Sequence, residues 1–314
     1  MVENRLHVII DYSYLYYKYK FQLESGRMKR LTQPMEWHGV VVEKDVSQIY
    51  YSLREIEQIR RKYEAEWQSV TLSIAFDSKS ARKESGTTES SKYKSNRGGK
   101  LNDTDFENIE FVHSVLSRVG YNTYKIEGAE ADDIIAALVK WYSDSDLFGY
   151  TLIYTPDADV LENIKSNVAA MRYKSGKGYT FINSQNFQDV LSTELKCTMP
   201  YNCLMLYKCT VGDKSDCIDG IKGFGPAAFN KMIAALAEMK FDPAMGSNAN
   251  AVAYALRSLH ETGYFSDAQY QQSVDSLELV KPIVLDKLDT PVKKPDIGLR
   301  QAVYMQYNMP SLVP

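Results

Sequence analysis

The chain has 314 residues, of which 44% are hydrophobic and 25% are charged, and its formal net charge is −3. This length and apolar content can bury a sizeable core, which excludes an intrinsically disordered chain and allows one large or two modest domains. The small negative charge excludes an overall polycation, so any binding to nucleic acid would depend on basic residues that are concentrated locally.

The start of the chain and the cysteines predict a cytoplasmic protein. Residues 1–5 carry no apolar targeting core, and no stretch approaches the roughly 20 apolar residues that a membrane span needs. Cys197, Cys203, Cys209 and Cys217 show neither the Cys-x2-Cys spacing of zinc sites nor a secreted disulfide framework. We therefore expect a soluble protein with reduced thiols and no membrane contact.

The first half of the chain alternates short apolar runs with helical patterns, which is typical of an α/β domain with a mostly parallel sheet flanked by helices. The predicted strands are Leu6–Ile10, Val70–Phe76, Asn122–Ile126, Tyr150–Tyr154 and Val168–Tyr173. The predicted helices are Val46–Trp67, Phe106–Val119 and Ala131–Tyr142. Together these elements predict an α/β domain over residues 1–190.

The rest of the chain, residues 191–314, is predicted to form a smaller helical domain. A glycine-rich turn, residues 220–226, interrupts its helices within the span of about 205–235. One segment fits neither domain, because residues 78–102 are polar, rich in serine, glycine and lysine, and without apolar periodicity. A connection of this length inside a compact domain is usually functional or disordered.

Acidic residues follow three of the predicted strands. Asp11 comes directly after the first strand, Asp77 after the second, and Asp157 and Asp159 after the strand that ends at Tyr154. Because ligands of an open α/β sheet bind outside the carboxyl ends of its strands, these acids are expected to meet at one rim of the sheet.

A further set of acids, Glu130, Asp132 and Asp133, lies at the start of the helix predicted from Ala131. Any one of them alone is more often a helix cap or a dipole partner than a ligand. Several carboxylates within a few ångströms of one another would repel, however, so the whole set predicts bound cations. Oxygen ligands without histidine or cysteine favour Mg²⁺, with Mn²⁺ as a substitute, over zinc.

Two more acids, Asp213 and Asp216, stand just before the glycine-rich turn. Alone they could belong to a solvated loop or to a fragment of a calcium-type loop. The turn itself looks like the hairpin of a helix-hairpin-helix, whose free amides bind phosphate without reading sequence, although a plain turn between core helices stays open. Its candidate nucleic-acid contacts are Gly220, Lys222, Gly223 and Gly225.

Residues 78–100 form a basic segment within this mildly acidic chain. Its basic residues are Lys79, Arg82, Lys83, Lys92, Lys94, Arg97 and Lys100, against the acids Glu84 and Glu89. Tyr93 stands among these cations, a combination that stacks a base and follows a phosphate backbone. Composition alone leaves a solvated, mobile loop equally open.

In their order along the chain, these motifs resemble those of the 5′-nuclease, or flap endonuclease, family, most of all its free-standing bacteriophage members. The resemblance covers roughly residues 6–235. The matching motifs are Ile-Ile-Asp11, Ala-Phe-Asp77, Tyr93-Lys94-Ser-Asn-Arg97, Glu130-Ala-Asp132-Asp133, Thr-Pro-Asp157-Ala-Asp159, Gly-Asp213-Lys-Ser-Asp216 and the turn from Gly220 to Pro226. Departures include Tyr12 and Ser95, where relatives commonly carry glycine.

The resemblance implies a role for each matching residue. One metal region would be held by Asp11, Asp77, Glu130 and Asp132, and the other by Asp133, Asp157, Asp159, Asp213 and Asp216. Residues 78–108 would form a helical arch whose Lys94 and Arg97 contact the scissile phosphate, with Tyr93 stacking on a base and Lys92, Lys83 and Arg82 adding nucleic-acid contacts. The helix-hairpin-helix would grip the duplex, with help from K⁺.

The predicted function is a structure-specific 5′-3′ exonuclease or 5′-flap endonuclease that uses two metal ions and leaves 5′-phosphates. The resemblance implies a monomer that acts on DNA with 5′ flaps, nicks or free 5′ ends and on RNA-DNA hybrids. It also implies replication proteins as partners, and a location in the host cytoplasm if the protein is phage-encoded. The alternatives are a PIN-type ribonuclease, a non-catalytic DNA-binding protein and a Mg²⁺ phosphohydrolase of small molecules. PIN-type domains are typically shorter than this chain, and a non-catalytic DNA-binding protein would not need all nine acids. A phosphohydrolase of small molecules would leave the basic segment unexplained.

Overall fold

A computed structural model describes residues 4–79, 81, 93–95, 101–144, 149–199, 203–241, 248–285, 288 and 296–313. Its strands are β1 Arg5–Asp11, β2 Thr32–Trp37, β3 Val40–Asp45, β4 Ser69–Phe76, β5 Asn122–Lys125, β6 Tyr150–Thr155, β7 Val168–Lys174, β8 Gly178–Ile182, β9 Gly212–Asp213 and β10 Ile218–Asp219. Its α-helices are α1 Tyr12–Glu24, α2 Ser47–Glu64, α3 Asp103–Arg118, α4 Ala131–Asp144, α5 Phe187–Leu195, α6 Leu204–Val211, α7 Pro226–Glu238, α8 Ala249–Glu261, α9 Asp267–Val280 and α10 Ile297–Gln306. Short 3₁₀ helices cover Asp159–Asn163 and Pro310–Leu312.

The central sheet has six strands in the order β5-β4-β1-β6-β7-β8. β1 pairs in parallel with β4 on one side and with β6 on the other, so that Ile10 lies between Ile74 and Tyr154. β8 runs antiparallel to β7, and the other neighbouring strands are parallel. The predicted α/β fold with a mostly parallel sheet is therefore confirmed.

Helices cover both faces of β1, which explains its nearly unbroken apolar sequence. Successive side chains of a strand point to opposite faces, and Val8 and Ile10 pack in one core cluster together with Ile56 of α2. Ile9 packs in the other cluster, with Ile134 of α4. That second cluster continues into the helices that follow residue 190, so the helical part of the chain shares a core with the sheet.

The elements predicted from apolar patterns are present. Each of the five predicted strands lies within one residue of an observed strand, and each of the three predicted helices lies within three residues of an observed helix. The predicted division into domains at residue 190 and the helix-hairpin-helix stay predictions, although α6 and α7 do flank the glycine-rich turn. No helix among the described residues is long and apolar enough to cross a membrane.

Sequence patterns missed α1 and the β2–β3 hairpin. α1 is rich in tyrosine, a residue that suits both core and surface, and the structure buries Tyr12 and Tyr16. β3 shows no alternation of burial, because adjacent valines are exposed, with Val41 at 74%. The two-residue turn at His38 and Gly39 has φ angles of 50° and 80°, the left-handed conformation that tight hairpins favour.

Candidate metal centre

β1 ends in the buried carboxylate of Asp11, at the carboxyl rim of the sheet. Its Oδ1 accepts a hydrogen bond from the backbone N of Tyr14 (3.2 Å), which caps α1. Its Oδ2 accepts from the Oγ1 of Thr155 (3.1 Å) at the end of β6. Asp11 is therefore a helix cap and a rim acid at once, and its position is fixed from two sides.

Asp77 follows β4 and connects three elements at the same rim. Its Oδ1 accepts from the backbone N of Ala131 (2.7 Å), the first residue of α4. Its Oδ2 accepts from the Oγ of Ser13 (2.5 Å) on α1. This carboxylate holds the start of α4 against the sheet, and thereby positions the acids that α4 carries.

Among the described residues, two groups of three carboxylates could each hold a metal ion. The first carboxylate group consists of Asp132, Asp157 and Asp159, and the second carboxylate group consists of Asp159, Asp213 and Asp216. In each group one oxygen per residue lies within 4.8 Å of the others. Asp159 belongs to both, so the two groups are adjacent and draw on the sheet, on α4 and on the β9–β10 loop.

Negative charge accumulates around the first carboxylate group. Burial, followed by the charges of Asp77 and Asp157, raises the pKa of Asp11 to about 7. Burial and the neighbouring charges of Asp157 and Asp159 raise the pKa of Asp132 well above its usual range. Such shifts mean that ionising all of these acids costs free energy unless a cation lies among them.

A buried lysine compensates the second carboxylate group. Lys208 on α6 forms ion pairs with Asp159 and with Asp213, the latter at 2.7 Å. Although burial opposes it, this lysine brings the pKa of Asp213 down to about 2. The two acids in turn hold the pKa of Lys208 well above its usual range, against the effect of burial. Lys208 is therefore a fixed cation inside the site.

Sequence reasoning missed Lys208 and a neighbouring acid, Glu162. α6 is otherwise a buried run, and a single lysine within it was the available signal. Glu162 lies in the 3₁₀ helix that begins at Asp159, and its charge interacts with Lys208 and Asp159. Burial raises the pKa of Glu162 to about 8. Both residues belong to the electrostatics of the site, although neither matched a motif.

Asp133 lies beside Asp132 in sequence, yet the structure does not bring it into either carboxylate group among the described residues. Its side chain is 1% exposed. The Oδ2 accepts from the backbone N of Glu130 (2.9 Å), and the Oδ1 accepts from the backbone N of Ile283 (2.8 Å). In this structure Asp133 thus joins the start of α4 to the segment that follows α9.

Glu130 pairs with residues of the predicted arch. The Nζ of Lys94 lies 2.9 Å from the Oε2 of Glu130 and 3.8 Å from the Oδ2 of Asp216. The hydroxyl of Tyr93 donates to the same Glu130 oxygen (2.9 Å). The structure therefore places the predicted phosphate-binding lysine at the rim, between an acid of the α4 start and an acid of the second carboxylate group.

The ring of Tyr93 is 3% exposed and packs against Ile218, Leu279 and Val280. In this structure it is covered by the helical part of the chain, so it is not accessible for the predicted base stacking. Four other predicted contacts, Arg82, Lys83, Lys92 and Arg97, lie outside the described residues, as does most of the predicted arch.

The glycine-rich turn leads directly into α7. A Cβ at Gly220 would lie 2.2 Å from the carbonyl of Val211, so close approach of the backbone requires glycine there. Gly223 has a φ of +77°, and Gly225 is the N-cap of α7. Lys222 is exposed on this turn. Its basic side chain and the first amides of α7 lie in the same segment of the chain.

The fold and the rim define a class: an α/β domain whose parallel strands end in a carboxylate cluster. A family model described as the 5′-3′ exonuclease N-terminal resolvase-like domain matches residues 6–191. This is more than half of the chain, and the chain belongs to that family.

Three known proteins show how far the likeness extends. The chain is 28% identical to DNA polymerase I of Caldicellulosiruptor bescii over 162 residues, which are 52% of this chain and 18% of that protein. It is 26% identical to a 5′-3′ exonuclease of Mycoplasmopsis pulmonis over 206 residues, 64% of this chain and 60% of that protein. The chain thus spans less than two thirds of both relatives.

The third is a solved structure with the same fold. A complex of the bacteriophage T5 flap endonuclease with DNA and metal ions superposes with a TM-score of 0.53 at 16% identity. The match covers 88% of this chain and 99% of that one. At this identity the likeness describes the fold.

Proposed function

We propose that the chain is a divalent-metal-dependent 5′ nuclease, which hydrolyses phosphodiester bonds of DNA as a 5′-3′ exonuclease or 5′-flap endonuclease. The observation that carries the proposal is the meeting of carboxylates from separate segments at one rim, with the pKa of Asp11 and of Asp132 raised. A site of this kind is stabilised by bound cations, and its donors are oxygens, which suit Mg²⁺ or Mn²⁺.

The carboxylates of the rim would bind two divalent ions and hold the surrounding helices in place. The first carboxylate group, with Asp11 and Asp77 beside it, would hold one divalent ion, and the second carboxylate group would hold another. Two such ions, when bound, stabilise the attacking and leaving oxygens of an in-line displacement. Asp11 and Asp77 hold α1 and α4 at fixed positions against the sheet, so that the acids keep their spacing.

Positive charge near the rim favours a phosphate substrate. Lys94 reaches the second carboxylate group from the predicted arch, and Lys208 reaches it from α6. Further along the chain, the exposed Lys222 and the first amides of α7 would hold a phosphate of the duplex, with K⁺ as a proposed companion. Cleavage would leave a 5′-phosphate and a 3′-hydroxyl.

The comparisons support DNA as the substrate class. The family is named for 5′-3′ exonucleases, and the T5 protein of the same fold is a flap endonuclease that was crystallised with DNA and metal ions. We propose DNA with 5′ flaps, nicks or free 5′ ends as substrates, RNA-DNA hybrids as further ones, and replication proteins as partners of a monomeric enzyme.

The test is cleavage of 5′-labelled flap, nicked, blunt and RNA-primed duplexes with Mg²⁺, with Mn²⁺ or with EDTA. We expect cleavage with either ion and none with EDTA. Short products released in order from a duplex 5′ end identify an exonuclease, whereas one product per flap identifies a flap endonuclease.

A pair of variants ties that activity to the site. Asp159→Asn changes the acid shared by both carboxylate groups and should abolish cleavage while duplex binding persists. Asp189→Asn changes an exposed acid on α5 and should cleave like the wild type. Full cleavage by Asp159→Asn, or equal cleavage with EDTA, would refute the proposal.

A further inference from the structure

Lys94 is held at the rim by contacts to two different parts of the chain. Its ammonium pairs with Glu130 at the start of α4 and with Asp216 in the β9–β10 loop. Its backbone N also donates to the backbone carbonyl of Asp216 (2.9 Å). The residue is only 8% exposed. These contacts fasten the stretch 93–95 of the predicted arch directly onto the second carboxylate group.

The backbone of this stretch is in a conformation that needs such support. Lys94 has a φ of +49°, in the left-handed region that residues other than glycine rarely adopt. A conformation of this kind persists where surrounding contacts hold it. Here the support includes Glu130, which also accepts the hydroxyl of Tyr93, and Asp216. Loss of either partner would weaken the hold on the stretch.

Asp216 has a second use, because it is also one of the three acids of the second carboxylate group. A divalent ion bound to its carboxylate would lie close to the Lys94 ammonium. Two cations that share one carboxylate repel each other, and a mostly buried site screens that repulsion poorly. The lysine and the ion therefore cannot both make full use of Asp216.

Lys94 and Lys208 differ in how easily each can move out of the site. Lys208 projects from α6, a helix whose residues from Leu204 to Thr210 are all buried, so it cannot leave the site without disturbing the core. Lys94 projects from the stretch 93–95, whose described apolar packing is a small cluster of Tyr93 with Ile218 and Leu279, separate from the two main cores. When an ion enters the second carboxylate group, Lys94 is the cation that can move.

We propose that Lys94 and a divalent ion at the second carboxylate group compete for Asp216, so that binding of the ion releases Lys94 and the stretch 93–95 from the rim. Coupling between two binding events is reciprocal: an ion that weakens the hold on the lysine is itself bound more tightly when the lysine is absent. The inference rests on the proposed function for its metal ion. It adds a coupling, in which binding of the second ion favours the state whose Lys94 ammonium can turn toward a phosphate.

The first test measures Mn²⁺ binding by titration calorimetry, without nucleic acid, for the wild type, Lys94→Met and the exposed control Lys177→Met. We expect two binding steps. Lys94→Met should tighten the weaker step by about tenfold, a coupling of ordinary size, and leave the tighter step within about twofold. Tightening distinguishes competition from damage, because a disrupted site binds metal less well.

Several results would overturn the competition. They are a weaker step that is unchanged or loosened in Lys94→Met, the same tightening in Lys177→Met, or a single Mn²⁺ step in the wild type. Lys94→Gln, which keeps a polar side chain and removes the charge, should behave like Lys94→Met, so the outcome does not depend on how well one variant folds.

A native thiol reports the release itself. The Oγ of Ser95 donates to the Sγ of Cys217 (3.7 Å), and the other three cysteines are buried. Saturating Mn²⁺ should therefore accelerate the reaction of Cys217 with a maleimide several-fold in the wild type, and Lys94→Met should react fast without metal. Cys217→Ser identifies the signal. An unchanged rate on adding Mn²⁺ would refute the release.

Neither measurement uses a substrate, so this inference and the proposed function can fail separately. If the wild type cleaves no duplex but Lys94→Met still tightens Mn²⁺ binding, the competition stands and the nuclease function fails. If the wild type cleaves duplexes and Lys94→Met leaves Mn²⁺ binding unchanged, the function stands and the competition fails.

Discussion

The two carboxylate groups share Asp159 and differ in how the protein balances their charge. The first lies beside Asp11 and Asp77, and the pKa of Asp11 rises to about 7 through burial and those neighbours. The second is bordered by Lys94 and Lys208, and the pKa of Asp213 falls to about 2 in spite of burial. Through the shared Asp159 the first group also receives part of the Lys208 charge, yet the pKa values of Asp11 and Asp132 stay raised. The first group therefore leaves more negative charge to be neutralised by an ion from solution than the second.

This difference gives the two groups different relations to folding and to metal. Acids with raised pKa values destabilise the folded state when they ionise, so an ion at the first group should add stability as well as function. Asp213, which is paired with Lys208, already stabilises the metal-free fold, although burial keeps the pKa of Asp159 raised to about 6. An ion at the second group must therefore first displace or offset lysines that the protein supplies. We therefore expect the tighter ion at the first group and the weaker one at the second.

Among variants that change one group alone, the largest expected effect comes from Asp157→Asn in the first group. Removal of one carboxylate from a site that depends on charge should lower the cleavage rate on the order of a thousandfold. Duplex binding should persist, because Asp157 belongs to the first carboxylate group, whereas the predicted duplex contacts lie in the glycine-rich turn. Single-turnover cleavage and fluorescence anisotropy measure the two quantities. A variant that cleaves normally in Mg²⁺ would show that the first group is not the active one.

Lys208→Met tests the internal cation of the second group. The substitution leaves Asp159 and Asp213 facing each other without their shared lysine, and breaking a buried ion pair from one side costs about 3 kcal/mol. Urea unfolding in EDTA should show that loss. Mg²⁺ should restore part of it, because a divalent ion can replace the missing charge. Lys177→Met is the exposed control, and equal stability of the two variants would contradict the role of Lys208.

The pH dependence of stability should separate Asp11, beside the first group, from Asp213, in the second group, by its sign. In EDTA, Asp11 holds a proton with a pKa of about 7 in the folded protein, against an ordinary value of 3.8. Between these values the folded state binds more protons, so the free energy of unfolding falls as pH rises, by about 1 kcal/mol per pH unit. Urea unfolding between pH 5 and pH 7 measures the total slope, to which Asp132, Asp159 and Glu162 also contribute through their own raised pKa values. Asp11→Asn should remove the Asp11 share and leave the rest.

Asp213 provides the opposite case. Its pKa is lowered to about 2, so its contribution to stability is fully present above its ordinary value of 3.8 and is lost as pH falls toward 2. Asp213→Asn should therefore lower stability by a similar amount at pH 5 and at pH 7. If this variant changes the slope over that range and Asp11→Asn does not, the contrast between the two groups is wrong.

The sequence predicted those parts of the molecule that depend on local pattern. The unbroken apolar run of β1 predicted a strand buried on both faces, and its position before Asp11 predicted a rim acid. The sequence could not predict which charged residues from distant segments form ion pairs in the folded protein. Lys208 is one lysine within a buried helix, and its partners Asp159 and Asp213 come from segments that only the fold brings together.

Tyr93 and Lys94 of the predicted arch show the same limit of sequence-based prediction. Composition left Tyr93 and Lys94 as either solvated loop or binding residues, and the resemblance placed them at a phosphate. The structure buries both, through contacts with Ile218, Leu279 and Glu130 that lie far away in sequence. No periodicity within residues 78–102 could have shown those partners.

The smallest expected effect on Mn²⁺ affinity comes from Asp133→Asn, and it tests which residues belong to the first group. Asp132 and Asp133 are neighbours that the resemblance assigned to metal, yet Asp132 belongs to the first group and Asp133 accepts backbone hydrogen bonds from Glu130 and Ile283. Asp133→Asn keeps the shape and replaces one accepting oxygen by an amide nitrogen, which should cost about 1 kcal/mol of stability. Mn²⁺ affinity should stay within about twofold, whereas Asp132→Asn should loosen the tighter step by at least about tenfold. If Asp133→Asn loosens that step as much as Asp132→Asn does, Asp133 belongs to the metal centre and the first carboxylate group is larger than the structure indicates.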